Sequence, residues 1–149
     1  MDTNPTTTTT TSTTSSAPDV GPNDVVDRFL GGLGAAGVGL GGDVFAADAV
    51  LDATVPMWRL EVAGGDAVRT QLDEWFALGV TWEAVNRRPV AGGEAVELDF
   101  AWIEDGVPHA GHQVHLLEIE HGRIRRDTMF CGGRWPADLL AEMEAARAH

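Results

Sequence analysis

The chain has 149 residues and a formal net charge of -13, from 23 acidic residues and 10 basic ones, all of them Arg. That balance offers no cationic face for phosphate backbones or anionic bilayers, so neither nucleic acid nor membrane is expected as a partner. The single cysteine, Cys131, excludes an internal disulfide and a multi-cysteine zinc site.

Residues 1–21 are dominated by a Thr/Ser-rich run from Thr3 to Pro18. With no large apolar side chain in that run, it cannot offset its ordering entropy and reads as a disordered tail. Asp2 stands where a secretory signal would carry basic residues, and no apolar core run follows. No later stretch approaches the roughly 20 apolar residues of a membrane span. A cytoplasmic protein is expected, with one domain over residues 22–149.

Pro22-Asn23 is a helix start, with Asn23 as N-cap, and Val26, Phe29, Leu30 and Leu33 recur on one helical face. The glycines from Gly31 to Gly42 weaken that helix and read as its flexible end. No strand precedes them, so they are not a dinucleotide loop. Asp43 to Asp48 reads as a short second helix, and Val50 to Val55 as a strand stopped by Pro56. Gly64-Gly65-Asp66 opens a third helix with Val68, Leu72, Trp75 and Phe76 on one face. Strands follow at 80–90, 94–104, 112–120 and 123–131. The second of these alternates, with Val96, Leu98, Phe100 and Trp102 on one side and Glu97 and Asp99 on the other. Pro136 begins a last helix, docked by Leu139, Leu140 and Met143. Helices first and antiparallel strands after give an α+β fold: a curved antiparallel sheet packed against the N-terminal helices, leaving a cone-shaped cavity.

This order, with VFAADAVLDATVP early and HLLEIEHGRIRRDTMF late, resembles the nuclear transport factor 2-like superfamily, and within it the SnoaL-like domains. The resemblance covers residues 22–147. It implies a cone-shaped, cystatin-like fold, a ligand pocket and a homodimer through the outer sheet face. Activities known in the superfamily include ketosteroid isomerisation, epoxide hydrolysis and polyketide cyclisation, alongside pocket proteins with no known activity. Fold alone does not choose among them. The catalytic Asp of the isomerases matches Ala53, with Asp52 one residue before it and facing the other way; their oxyanion-hole Tyr is missing, because the chain has no Tyr. The late Asp of the epoxide hydrolases has only a displaced match in Asp127.

Candidate chemistry concentrates in the segment from His109 to Trp135. A three-residue loop at Glu120-His121-Gly122 pairs His115 directly with Asp127 across two strands. Such neighbours can hydrogen-bond, and a carboxylate on imidazole fixes its tautomer and raises its basicity. His115 is then a general base with Asp127 its orienter; the plainer alternative is a buried pair that only satisfies itself. A two-residue turn shifts the register by one and separates the two. Gln113, Met129 and Cys131 fall on or beside the same face as ligand-binding candidates, and Trp58, Trp75 and Trp102 as flat walls for a ring-bearing ligand. Asp52, in an apolar strand, is a second acid if it faces the cavity, where desolvation raises its pKa; otherwise it is an exposed or capping Asp. His109, His112 and His115 repeat every third residue, but in a strand 112 and 115 point to opposite faces, so no metal is expected. No cofactor is expected either. Two function classes follow. One is a cofactor-independent isomerase, cyclase or hydrolase acting on a small apolar or polycyclic molecule; the other is a non-catalytic ligand-binding or protein-interaction module.

Overall fold

The computed structural model describes residues 22–148. The Thr-rich segment 1–21 lies outside them, as does the side chain of Asn23. Three helices and six strands follow in the order α1 (Pro22–Gly34), β1 (Phe45–Val55), β2 (Trp58–Ala63), α2 (Gly65–Trp75), β3 (Thr81–Val90), β4 (Gly93–Glu104), β5 (Val107–Glu120), β6 (Arg123–Pro136) and α3 (Ala137–Arg147). The strands form one curved sheet in the order β2-β1-β6-β5-β4-β3. Its neighbours are antiparallel except β1 and β6, which run parallel.

The inward face of the sheet follows the period of two. Leu51 and Ala53 of β1, Val96 and Leu98 of β4, Leu117 of β5 and Met129 of β6 are all buried. Against them pack Val25, Val26, Phe29 and Leu33 from α1 and Val68 and Leu72 from α2. Arg87 of β3 fastens α1 to this sheet by pairing with Asp27 of α1 and with the buried Glu94 of β4, the latter at 2.5 Å. No helix among the described residues is long and apolar enough to cross a membrane.

Four expectations need correcting. Residues 43–48 are not a helix: the strand already begins at Phe45, which pairs with Ile124 of β6. Beyond Pro56 the chain turns through Met57, at φ 64°, and returns as β2, a strand not foreseen. The glycine segment is held down, because Leu40 is buried and its N–H donates to Asp73 Oδ1 of α2 at 2.8 Å. Helix α3 contains no buried residue, and Leu139 is 38% exposed. Its apolar residues do not share one deep stripe, so it lies on the sheet without anchoring in it.

The β5–β6 hairpin decides where the functional side chains point. Its loop has two residues, His121 and Gly122, between the paired Glu120 and Arg123. Both loop residues have positive φ, 52° and 71°, which matches the right-handed twist of the strands. That turn alone would set Asp127 and His115 on opposite faces. A bulge between Glu118 and Ile119 adds a second one-residue shift, pairing Leu117 with Asp127 and His115 with Met129. Two shifts restore the parity, so His115 and Asp127 share the inward face as diagonal rather than direct neighbours.

Candidate functional site

His115 and Asp127 meet in the interior, both with fully buried side chains. The ring Nδ1–H of His115 donates to both carboxylate oxygens, at 2.9 and 3.0 Å. The edge-on ring of Phe29 packs against the imidazole at 5.3 Å between centroids and closes the α1 side. On its other nitrogen, His115 Nε2 lies 3.0 Å from Gln113 Oε1. Gln113 Nε2 in turn donates to Cys131 Sγ at 3.5 Å. The polar groups thus form one line from Asp127 through His115 to Gln113.

Gln113 ends that line at a cavity of about 490 Å³ under the C-terminal end of α2. Trp75 at the end of α2, Phe76 just after it, Phe100 and Trp102 of β4, and Met129 and Cys131 of β6 are among the residues of its wall. The volume is in the range of small-molecule sites, and an apolar wall with few polar groups suits them. Phe100 stacks on Trp102 at 5.6 Å, and His109 also stacks on Trp102, at 5.3 Å. At the rim, Arg134 lies 5.2 Å over the Trp102 ring and pairs with Glu104, which also accepts from Trp102 Nε1 at 3.2 Å. The Trp102 N–H and Arg134 hold the Glu104 carboxyl below its ordinary range.

Among the expected ligand-binding residues, the cavity collects Trp75, Trp102, Gln113, Met129 and Cys131. Trp58 is not among its lining; it stands 69% exposed on β2, at the edge of the sheet. Asp52 is turned away as well. It alternates with the inward Leu51 and Ala53, so it faces the outer side, where Arg59 binds it through two hydrogen bonds of 3.0 and 2.8 Å and Arg126 at 3.1 Å. Those guanidinium groups, Arg59 foremost, lower its pKa from the ordinary 3.8. Burial pulls it upward but the arginines outweigh that, so Asp52 is no acid for this cavity. His112 also faces outward, on Asp99 at 2.6 Å, and His109 sits within β5 rather than in a turn. Among the described residues no group of three or more His, Cys, Asp or Glu could hold a metal.

Phe76, Phe100 and the Glu104–Arg134 rim pair were not foreseen as site residues. Phe100 carried a signal, since it lies between two inward positions of an alternating strand next to Trp102. The rim pair carried none, because its partners are thirty residues apart.

No family model and no curated protein matches the chain. Solved structures do match. A protein with a ketosteroid isomerase-like fold from Catenulispora acidiphila, in complex with trimethylamine, superposes with a TM-score of 0.58 at 15% identity, over 71% of this chain and 83% of that one. A nuclear transport factor 2-like protein from Mesorhizobium loti gives 0.54 at 18% identity, over 75% and 91%. A cystatin-like protein from Xanthomonas campestris gives 0.57 at 17% identity, over 81% and 94%. The fold is nuclear transport factor 2-like. The Trp75–Trp102 cavity, with Gln113 in its wall, lies against the inward face of this sheet.

Proposed function

We propose that this nuclear transport factor 2-like chain binds a small, largely apolar, ring-bearing molecule in the Trp75–Trp102 cavity. The observation that carries the reading is a flat aromatic wall meeting one fixed carboxamide, Gln113, itself held by the buried His115–Asp127 pair. The trimethylamine held by the Catenulispora protein supports a small ligand for this fold in general. His115 has no exposed surface and lies behind Gln113. That favours a binding pocket over direct proton transfer to the ligand. A thermal-shift panel of flat ring compounds, alkyl ketones and alkylamines tests the reading. Ring compounds are expected to raise Tm, since a ligand at a hundred times its Kd adds about 2.7 kcal/mol to the folded state. A panel in which ring compounds give no shift sinks it.

A second reading, an acid–base enzyme of isomerase, cyclase or hydrolase type, draws support from the same buried pair. In it Gln113 swings aside and His115 acts as base toward the bound molecule, with Asp127 holding the ring.

The outer sheet face supports a homodimer. Leu116 and Phe130, 41% and 48% exposed, sit at its centre beside Val114 and Thr128. Arg126 and Arg59 flank them on the β1–β2 side and Asp99 and Glu97 on the β4 side. A two-fold axis through such a face brings the exposed apolar centre of one copy onto that of the other. Sedimentation velocity should find a dimer at micromolar concentration and a monomer for Leu116→Arg. A monomeric wild-type chain would remove the proposal.

A further inference from the structure

We propose that Gln113 reads the ligand, donating its carboxamide N–H to a carbonyl oxygen on a flat, otherwise apolar ring compound; the inference rests on the pocket reading above. Three observations lead to it. First, the amide of Gln113 has a definite orientation. The Asp127 carboxylate only accepts, so His115 Nδ1 carries a hydrogen. On its other side, His115 Nε2 faces the Gln113 oxygen at 3.0 Å. With its oxygen turned to the imidazole, the Gln113 amide presents its NH2 the other way.

Second, that NH2 has a weak partner. The acceptor it meets is the Cys131 sulfur at 3.5 Å, and sulfur accepts poorly. A ligand oxygen that replaces this contact exchanges a weak hydrogen bond for an ordinary one. Third, the surroundings leave the recognition to Gln113. It is 7% exposed in a wall whose side chains are mostly apolar, Trp75, Phe76, Phe100, Trp102 and Met129 among them; of the charged lining groups, Glu104 and Arg134 pair with each other at the rim and Glu74 stands on the exposed side of α2. A fixed, buried amide donor in a mostly apolar wall favours a ligand with an acceptor there and disfavours one lacking it, because the donor is then left with poor compensation. His115 and Asp127 are positioning residues in this scheme: they hold the amide so that its nitrogen, not its oxygen, meets the ligand.

Three tricyclics of nearly the same shape test the assignment: fluorene with no polar group, 9-fluorenone with an acceptor, and carbazole with a donor. Their affinities for the full chain are measured by calorimetry or tryptophan quenching. The ratio of 9-fluorenone to fluorene affinity should fall about 3- to 10-fold in Gln113→Leu, the range of one neutral hydrogen bond. The infrared carbonyl stretch of bound 9-fluorenone should lie at lower wavenumber in the wild type than in that variant. Should the leucine variant fail to fold, Gln113→Glu replaces it and should shift the preference toward carbazole. Asp127→Asn should also lower the ratio, whereas a merely structural role would lower both affinities together and leave the ratio alone. An unchanged ratio in Gln113→Leu, or in Gln113→Glu where that variant stands in, overturns the inference while leaving the pocket reading intact. A wild-type preference for carbazole does the same, since it puts the Gln113 oxygen in the cavity. If none of the three binds, the pocket reading falls and the inference with it.

Discussion

Asp127→Ala is expected to cost about 3–5 kcal/mol of stability, the range for removing one partner of a buried charge pair. For a domain of this size that lowers Tm on the order of 10–20 °C. The reason is geometric. His115 has no exposed surface, and its Nδ1–H has both Asp127 oxygens as partners. With the carboxylate gone, the donor loses both its partners in a fully buried site, and Phe29 closes the other side. Replacing both residues together, as His115→Leu with Asp127→Leu, should recover most of the loss, because an apolar pair of similar volume needs no partner. Urea titration of the two singles and the double variant checks this. A loss under about 1 kcal/mol for Asp127→Ala would mean that the pair is not held as described.

Gly111→Val is expected to separate stability from binding. Gly111 lies in β5 opposite Phe100. A β-carbon built on it comes 2.7 Å from Phe100 Cζ and 3.3 Å from Trp102 Cζ3, so both rings must yield. Overpacking of this kind ordinarily costs about 1–3 kcal/mol. Here the rings border a cavity that can take them, and a β-branched residue suits a strand better than glycine does. The net change in stability should therefore stay within about 1 kcal/mol, at the low end of that range. The cavity, in contrast, loses the room that a flat ligand needs. Affinity for any ring compound active in the thermal-shift panel should fall at least about tenfold, or about 1.4 kcal/mol. Unfolding curves and ligand titration on the same preparation give both numbers; undiminished affinity would place the ligand elsewhere.

Long alternating strands and helix faces were legible in the sequence because burial there follows a simple period. Val96, Leu98, Phe100 and Trp102 all point inward as their spacing requires. The stretch from Asp43 to Asp48 misled because its two alanines suit a helix. Its strand state is imposed by β6, a partner nearly eighty residues on. The short β2 was hidden by the Pro56 stop and by an exposed Trp58. At the site, the residues were readable but their register was not. A loop containing His121-Gly122 has more than one possible length, and nothing local announces the bulge at Glu118 and Ile119. The expected His115–Asp127 contact exists, but by a different route: a shorter loop and a bulge in place of direct pairing. Asp52 was misjudged because its two arginines come from separate strands, neither visible as neighbours in sequence.

The parallel seam between β1 and β6 governs the order in which the molecule can be assembled. β6 is the last strand made, yet it sits in the middle of the sheet, with β1–β2 on one side and β5–β4–β3 on the other. Until it arrives, the N-terminal hairpin has no neighbour and the growing meander has an open edge. The β3–β5 meander can form from local contacts, but joining the two parts must wait for closure of a chain loop of some seventy residues, which is slow. A nascent chain ending before Arg123 would therefore hold two half-sheets with nothing to join them, and the aromatic wall of the cavity would face water until synthesis is nearly complete.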